Sequence, residues 1–274
     1  MSDYKEKVQR NILRNNTVKA ALLSAVVLCS AGVAKADLNI NGATGLFLNP
    51  TAEVVQKGQP RIQANYYDFG TDYDDTLYGV YGAIAAGEKW EVSGGINRFD
   101  VGESQWSDWD RNGFALGTKY RLLNNQEKGL QVAIGAGYDR ALLSNLHAYV
   151  AATKSFNRSA ARSGIVGTLG LRVDRFTDLR QGEPNEKFSK ISAFAGVEVP
   201  LTRTGDLRLI GEIGSKNTDG TFGPHPKFPY AVGLRYSPRD KAYSLSAGMM
   251  RQGINTPHET QPRVFVQAGY TFGK

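Results

Sequence analysis

The sequence of 274 residues lacks an apolar run long enough to cross a bilayer as a helix. Such a helix needs about 20 consecutive apolar residues. The longest apolar stretch covers residues 20–33 only, and the mean hydropathy of the chain is -0.36. These features exclude a helical membrane protein.

The sequence has a single cysteine, Cys29. A single thiol excludes an intramolecular disulfide and a cysteine-based metal site. A lipid-anchored Cys29 is an alternative, but Leu28 stands directly before it, where lipoprotein processing requires a small residue.

The first 36 residues have the three parts of a secretory signal. Basic residues precede the apolar stretch 20–33, and Ala34 and Ala36 form a small-residue cleavage pattern. We therefore predict a signal peptide at residues 1–36 and a mature chain that begins at Asp37. An ordinary amphipathic helix is the alternative.

The charge is modest once this signal is set aside. The formal net charge is +7, but residues 1–36 contain six of the 33 basic and two of the 26 acidic residues, which leaves an excess of three. A nucleic-acid-binding protein would need a concentrated basic face. Nucleic acid is therefore not a predicted partner.

From residue 59 onward the chain divides into segments of about ten residues with period-2 alternation. One face is apolar and the other is polar or small, and 31 glycines contribute to the small positions. This pattern is typical of an antiparallel transmembrane β-barrel. A soluble sandwich or soluble barrel is the alternative. The twelve predicted strands cover residues 60–69, 76–86, 89–98, 112–122, 129–138, 146–156, 164–173, 190–199, 206–214, 229–237, 242–250 and 263–272.

The connections alternate in length, with short links after strands two, four, six, eight and ten and longer ones after three, seven, nine and eleven. Bacterial barrels have short periplasmic turns and longer external loops. Both termini are therefore expected in the periplasm, and the barrel is expected in the outer membrane. Aromatic residues near the strand ends predict two interfacial girdles. These residues are Phe114, Tyr138 and Tyr230 on the external side and Trp90, Tyr120, Phe156, Tyr236, Tyr243, Tyr270 and Phe272 on the periplasmic side.

The parity of the strands also predicts which charged side chains face the lumen. Six are basic and three are acidic. They can brace the wall as ion pairs, or their positive excess can line an aqueous path for anions. These residues are Arg61, Glu91, Lys119, Arg121, Arg172, Glu198, Arg208, Glu212 and Arg235. Inward glycines, among them Gly135, Gly170 and Gly196, are expected to leave room for water.

Residues 37–58 do not alternate. Asn49 and Pro50 can begin a helix of one to two turns, Glu53 favours its positive end, and Gly58 can close it. We expect this segment to be a short helix or a plug at the periplasmic mouth, with the barrel covering residues 59–274.

The same segment carries a recognisable motif. Thr44-Gly45-Leu46 is followed by Asn49-Pro50-Thr51-Ala52 and by Gly58. This order resembles the start of the YjbH-type exopolysaccharide-associated outer-membrane proteins, which commonly have Thr-Gly-Leu, then Thr-Pro-Thr-Ala, then a glycine. Asn49 replaces a threonine. The resemblance implies an exported barrel with a role connected to polysaccharide.

Catalytic and metal chemistry have little support in the sequence. The three histidines, His147, His225 and His258, are predicted at or beyond the external rim, and no serine stands beside His147 in its strand pattern. Three aspartates in the first loop, Asp72, Asp74 and Asp75, lack the spacing of a calcium loop. No catalytic residue, metal or cofactor is therefore predicted.

Three functions remain open at this point. The first is a non-enzymatic barrel in polysaccharide export or surface handling, or a membrane scaffold. The second is a narrow channel for small anionic solutes such as acidic oligosaccharides. The third is a surface lipid or peptide hydrolase. The expected partners are outer-membrane lipid, the barrel-insertion machinery and an anionic saccharide.

Overall fold

The computed structural model describes residues 37–68, 76–100, 111–140, 143–156, 164–178, 187–215, 228–251 and 262–273. The predicted signal peptide, His225, His258 and the three aspartates of the first loop lie outside these residues. No helix long and apolar enough to cross a membrane occurs in the described part of the chain.

Twelve strands are present, as predicted. In chain order they are β1 (Arg61–Asp68), β2 (Thr76–Ala85), β3 (Trp90–Asp100), β4 (Arg111–Asn125), β5 (Leu130–Arg140), β6 (Leu143–Phe156), β7 (Ile165–Asp178), β8 (Lys187–Pro200), β9 (Leu207–Gly214), β10 (Tyr230–Tyr236), β11 (Tyr243–Arg251) and β12 (Arg263–Thr271). The largest difference is in β7, which continues five residues beyond its predicted end.

The strands close into one antiparallel barrel, because β1 pairs with both β2 and β12. Asn65 of β1, for example, lies opposite Gln267 of β12. Closure leaves no strand edge unpaired, as a barrel in a membrane requires. The predicted fold class is confirmed.

Period-2 alternation places opposite chemistry on the two faces of the wall. Large apolar side chains point outward, and Ile96, Leu169 and Ile191 have exposed fractions of 71%, 66% and 76%. A water-soluble barrel would bury such residues, whereas lipid solvates them. The apolar outer surface therefore agrees with the predicted outer-membrane localisation.

The outward aromatic residues lie near the strand ends and contact one another in pairs. Ring centroids are 4.7 Å apart for Trp90 and Tyr120, and 4.9 Å apart for Tyr270 and Phe272. At the opposite end, Phe114 and Tyr138 are 5.7 Å apart. This arrangement is that of the two predicted girdles.

The two ends of the barrel differ in their connections. We call one the turn end, where residues 86–89, 126–129, 157–164, 201–206 and 237–242 link the strands, and the other the loop end. The link between β5 and β6 at the loop end has only residues 141 and 142, a short connection that the sequence pattern did not predict. The periplasmic position of the turn end remains a prediction.

Residues 37–58 form no helix, so the helix prediction is wrong. The segment folds into turns joined by two isolated β-bridges, Leu38 with Thr44 and Gly45 with Pro50, and lies against the inward face of the wall. Phe47 is fully buried, with its ring centroid 4.5 Å from that of Phe265 on β12.

The inward glycines receive side chains from neighbouring elements. A Cβ on Gly135 would lie 2.3 Å from the Tyr149 ring, and one on Gly170 would lie 2.1 Å from the Phe194 ring. Likewise, a Cβ on Gly196 would lie 2.2 Å from Leu46 Cδ1. At these three positions the expectation that glycine leaves room for water is wrong, since other residues fill the space.

Candidate functional site in the barrel lumen

All nine charged residues assigned to the lumen lie on the inward face. Glu91 and Lys119 are each 1% exposed, and Glu212 and Arg235 are 5% and 2% exposed. The other five are partly buried. Charges in such positions must be paired, hydrogen-bonded or hydrated, and four of the nine meet residues 37–58.

The first contact is made by Glu91 and Lys119, which lie opposite each other on β3 and β4. The carboxylate of Glu91 accepts hydrogen bonds from Thr44 N at 2.8 Å, from Val55 N at 2.9 Å and from the Thr44 hydroxyl. Lys119 Nζ donates to Thr44 O at 2.6 Å and to Glu53 O at 2.8 Å. Lys119 Nζ also lies 3.5 Å from Glu91 Oε1. We call these two residues the paired anchor.

The second contact is made by Glu212 on β9. Three successive backbone amides, those of Phe47, Leu48 and Asn49, donate to its carboxylate at 2.7 to 3.0 Å, and Asn49 Nδ2 adds a bond of 2.8 Å. Glu212 has no ion-pair partner among the described residues. Four N–H donors from the segment therefore hold this carboxylate, which we call the single anchor.

Arg235 on β10 lies opposite Arg208 of β9 and also contacts the segment. Its Nη2 donates weakly to Gly45 O at 3.4 Å and Leu46 O at 3.3 Å, and its guanidinium lies over the Phe47 ring at 5.1 Å. Arg235 Nε is 3.3 Å from Asp37 Oδ1, close enough for an ion pair but without hydrogen-bond alignment. Burial raises the pKa of the Asp37 carboxyl, although the nearby Arg235 and Arg61 act in the opposite direction.

The segment also meets other parts of the wall. Gln63 on β1 exchanges two hydrogen bonds with the backbone of Leu38, and Thr153 on β6 accepts one from Ala52 N at 2.9 Å. Glu91 on β3 and Glu212 on β9 are six strands apart in a ring of twelve. Residues 37–58 therefore extend across the lumen from one wall to the other.

The motif residues of the segment explain its local shape. A Cβ on Gly45 would lie 2.4 Å from Asn49 O, so only glycine fits there. Thr51 N donates to Thr44 O and Ala52 N donates to Thr153, which fixes both sides of the turn. Leu46 is buried against the wall at Gly196. Pro50 is buried, whereas Gly58 ends the segment in a left-handed conformation with φ +79°.

The remaining charged residues of the predicted set mostly contact the wall itself. Arg208 Nη1 lies 3.7 Å from Glu198 Oε2, and Arg121 Nη2 donates to Glu88 O at 2.8 Å. Arg172 Nε donates to Asp174 Oδ1 at 2.7 Å. These contacts match the bracing interpretation more closely than a row of free positive charges.

A polar cluster toward the loop end was missed. Asp139, Asn145, His147, Asp174 and Lys190 all face inward on β5 to β8. Asn145 Nδ2 donates to Asp174 Oδ1 at 2.9 Å. Lys190 shares the predicted parity of Glu198 and could have been included, whereas Asp139 and Asp174 lie just beyond the predicted strand ends.

His147 differs from its predicted position. It lies within β6, 8% exposed, with its ring stacked on Tyr149 at 6.4 Å. Its Nδ1 is 3.3 Å from Asp139 Oδ1, without hydrogen-bond alignment. The hydrolase hypothesis relied on histidines at the external rim, whereas His147 faces the lumen. His225 and His258 lie outside the described residues.

A cleft remains between the segment and the wall formed by β3 to β7. Asn39 and Asn41 line it from the segment, and Ser93, His147, Tyr149 and Arg172 line it from the wall. Its lining is mixed, with more apolar than polar surface, and it includes one guanidinium. No group of three or more metal-ligating side chains occurs in the described residues. The cleft has space for about one water molecule.

No protein-family model matches the chain, and no curated protein matches its sequence. Solved porin structures do match. A KdgM porin aligns with a TM-score of 0.51 and 13% identity, over 78% of this chain and 99% of the porin. A KdgM porin in complex with disordered oligogalacturonate aligns with a TM-score of 0.51 and 14% identity, over 78% of this chain and 99% of the porin. A NanC porin aligns with a TM-score of 0.52 and 12% identity, over 78% of this chain and 98% of the porin. At such low identity the likeness concerns the fold, and the chain therefore folds as a porin-type β-barrel.

Proposed function

We propose that this chain is a narrow outer-membrane channel for small anionic solutes, with acidic oligosaccharides as the solute class and residues 37–58 as its constriction. The observation that carries the proposal is the charge of the lumen wall. Among the inward strand residues whose side chains the structure describes, eight are basic and five are acidic. The basic ones are Arg61, Lys119, Arg121, Arg172, Lys190, Arg208, Arg235 and Arg263, and the acidic ones are Glu91, Asp139, Asp174, Glu198 and Glu212.

The positive excess favours entry of anions, because a low-dielectric wall concentrates the field inside a narrow pore. The two KdgM structures add support by analogy, since one of them is a complex with an acidic oligosaccharide. The resemblance to the YjbH-type family remains a separate prediction of a polysaccharide role.

The test is ion selectivity in a planar bilayer under a salt gradient. The reversal potential should have the sign of an anion-preferring pore. Replacing Arg121, Arg172 and Arg208 by glutamine should shift it toward zero. Arg235 is left unchanged in this variant because it also contacts residues 37–58.

Solute uptake supplies the specificity control. Vesicles containing the protein should take up a charged galacturonate oligomer faster than a neutral oligomer of the same length. A cation-preferring pore, or equal uptake of the two oligomers, would contradict the proposal. The scaffold or polysaccharide-export function would then be the better explanation of the barrel.

A further inference from the structure

Three basic residues stand on the outer surface of the barrel near its loop end, away from the lumen. Arg140 ends β5, Arg175 lies near the end of β7, and Lys187 begins β8, and all three are exposed. Strand parity directs each of them toward lipid, since the inward residues of these strands are Asp139, Asp174 and Lys190.

The three residues lie at similar height within four neighbouring strands, and we call them the basic patch. The strand register aligns Arg140, Ser144, Thr177 and Lys187 across β5 to β8. Arg175 precedes Thr177 by two residues and lies on the same face of β7, opposite Ser189 of β8. The short link of residues 141 and 142 joins two of these strands.

The basic patch has no partner among the described residues. Elsewhere on the outer surface the cations near the loop end are engaged, since Arg98 Nε donates to Asp100 at 2.6 Å and Arg251 donates to Phe228 O and lies over the Tyr230 ring. No acidic residue lies on the outward face of the described parts of β5 to β8. The patch therefore presents three positive charges that no described residue neutralises.

The height of the patch matches the edge of the apolar band. On β7 the outward residues from Ile165 to Val173 are apolar or glycine. These eight steps of about 3.3 Å span roughly 20 Å along the membrane normal at a tilt near 40°, against an apolar band of about 25 Å. Arg175 is the next outward residue, which places it where lipid headgroups begin.

The surface below the patch is suited to acyl chains. Leu146, Val173 and Ile191 lie directly beneath it and are 55%, 49% and 76% exposed. An amphipathic ligand with an anionic head and an apolar tail matches both parts of this surface. A soluble anion would use only the charged part.

We propose that the basic patch is a binding site for the phosphate headgroup of an anionic membrane lipid. Guanidinium groups bind phosphate through paired charge-assisted hydrogen bonds, and an ammonium group adds a point charge. Each basic residue near an anionic lipid surface contributes favourably to binding. The site is independent of the lumen and of the proposed transport function.

The experiment measures lipid retention by the full mature chain in detergent micelles, using native mass spectrometry. The probes are dioleoyl phosphatidic acid, which has an exposed phosphate, and dioleoyl phosphatidylcholine, in which choline screens it. The unmodified protein should retain phosphatidic acid at lipid concentrations about 10- to 100-fold lower than phosphatidylcholine. A variant with Arg140→Gln, Arg175→Gln and Lys187→Gln should lose this preference.

A matched control removes three exposed charges at the turn end by Lys128→Gln, Lys154→Gln and Arg203→Gln. It should bind phosphatidic acid as the unmodified protein does. Equal loss in the control would overturn the proposal, because the effect would then follow net charge and not position. No preference for phosphatidic acid in the unmodified protein would also overturn it.

Two further measurements keep the test decisive. Millimolar inorganic phosphate should not displace the lipid, and complete displacement would contradict a lipid site. The folding of each variant is checked by its mobility on a gel with and without boiling. If the triple variant does not fold, Arg175→Gln alone should lower the preference by about fivefold, and an unchanged preference in this single variant would reject the patch.

Discussion

The paired anchor and the single anchor hold the same segment but differ in what would remain if the segment left the lumen. Glu91 and Lys119 would still have each other, at 3.5 Å on adjacent strands. Glu212 would lose all four of the hydrogen bonds that the structure gives its carboxylate. The paired anchor is thus part of the wall as well as of the docking surface, whereas Glu212 serves the docking alone.

The two anchors should therefore respond differently to loss of the segment. A carboxylate that is held by backbone amides is well solvated by them while they are present, and water can replace them when they leave. A buried ion pair that loses one partner leaves an uncompensated charge. Changes at the paired anchor should therefore affect the stability of the barrel, and changes at Glu212 should affect the position of residues 37–58.

The largest effect is expected from Lys119→Met. This change removes the cation beside Glu91 and two hydrogen bonds to the segment, while it keeps most of the side-chain volume. An unpaired buried charge of this kind costs about 3 to 5 kcal/mol. Denaturant unfolding of the barrel in micelles should show a lower midpoint. An unchanged midpoint would mean that Glu91 is already well solvated without Lys119.

Combining Lys119→Met with Glu91→Gln sharpens this prediction. The double variant has no buried charge at the paired anchor, so it should be more stable than Lys119→Met alone. A double variant that is less stable than the single variant would show that Glu91 acts mainly through the segment and not through its ion pair.

Glu212→Gln should have a smaller effect on barrel stability and a larger one on the segment. In glutamine an NH2 group, which donates, replaces one of the two accepting carboxylate oxygens. The hydrogen bonds from the amides of residues 47–49 should therefore weaken by about 1.5 to 3 kcal/mol. Hydrogen exchange of these amides should accelerate by roughly 10- to 100-fold, and channel conductance should rise.

Asp174→Asn is the matched control for this variant. Asp174 is also a buried inward carboxylate, 4% exposed, but its hydrogen bonds are to Arg172 and Asn145 of the wall. Exchange of the amides of residues 47–49 should stay unchanged in Asp174→Asn. Equal acceleration in both variants would show that the general loss of lumen charge, and not the single anchor, controls the segment.

The smallest effects are expected from replacing Thr44 and Thr51 of the segment, because only the first has a side-chain hydrogen bond. The Thr44 hydroxyl donates to Glu91, whereas Thr51 Oγ1 is buried with no hydrogen-bond partner in the described structure. Thr44→Val should destabilise the protein by about 1.5 kcal/mol, and Thr51→Val should be neutral or slightly stabilising. Thermal unfolding of the two variants side by side checks this, and the opposite order would reject the assigned bond.

The strands and their inward faces were predictable because a transmembrane barrel repeats one signal twelve times. Parity alone places Glu91, Lys119 and Glu212 on the inward face. The ends of the strands were less predictable, since β7 keeps alternating past its predicted end at residue 173 into Asp174 and Phe176. Polar residues near a rim resemble loop residues in sequence, and so part of the loop-end cluster was missed.

The conformation of residues 37–58 could not be predicted from local signals. Asn49, Pro50 and Glu53 have the spacing of a helix start, but the amides of residues 47–49 are bound by Glu212, more than 160 positions away. A long-range charged acceptor outweighs a local capping preference. The motif at residues 44–52 did not indicate which wall residues contact the segment.

The glycines were misread for a related reason. A glycine on an inward face removes volume at its own position, but the adjacent strand can place a ring there, as Tyr149 does at Gly135. Glycine and aromatic residues on neighbouring strands are therefore informative as pairs, and the pairs are visible only when the register is known.

Single-channel recording of two proteins tests whether residues 37–58 constrict an otherwise conducting barrel. One is the mature chain, and the other is the same chain without residues 38–57, with folding of both checked by gel mobility. We expect a small, anion-preferring conductance for the mature chain and a conductance several times larger for the shortened chain. Silence of both proteins in the bilayer would contradict this expectation and would leave the inward charges as internal braces of the wall.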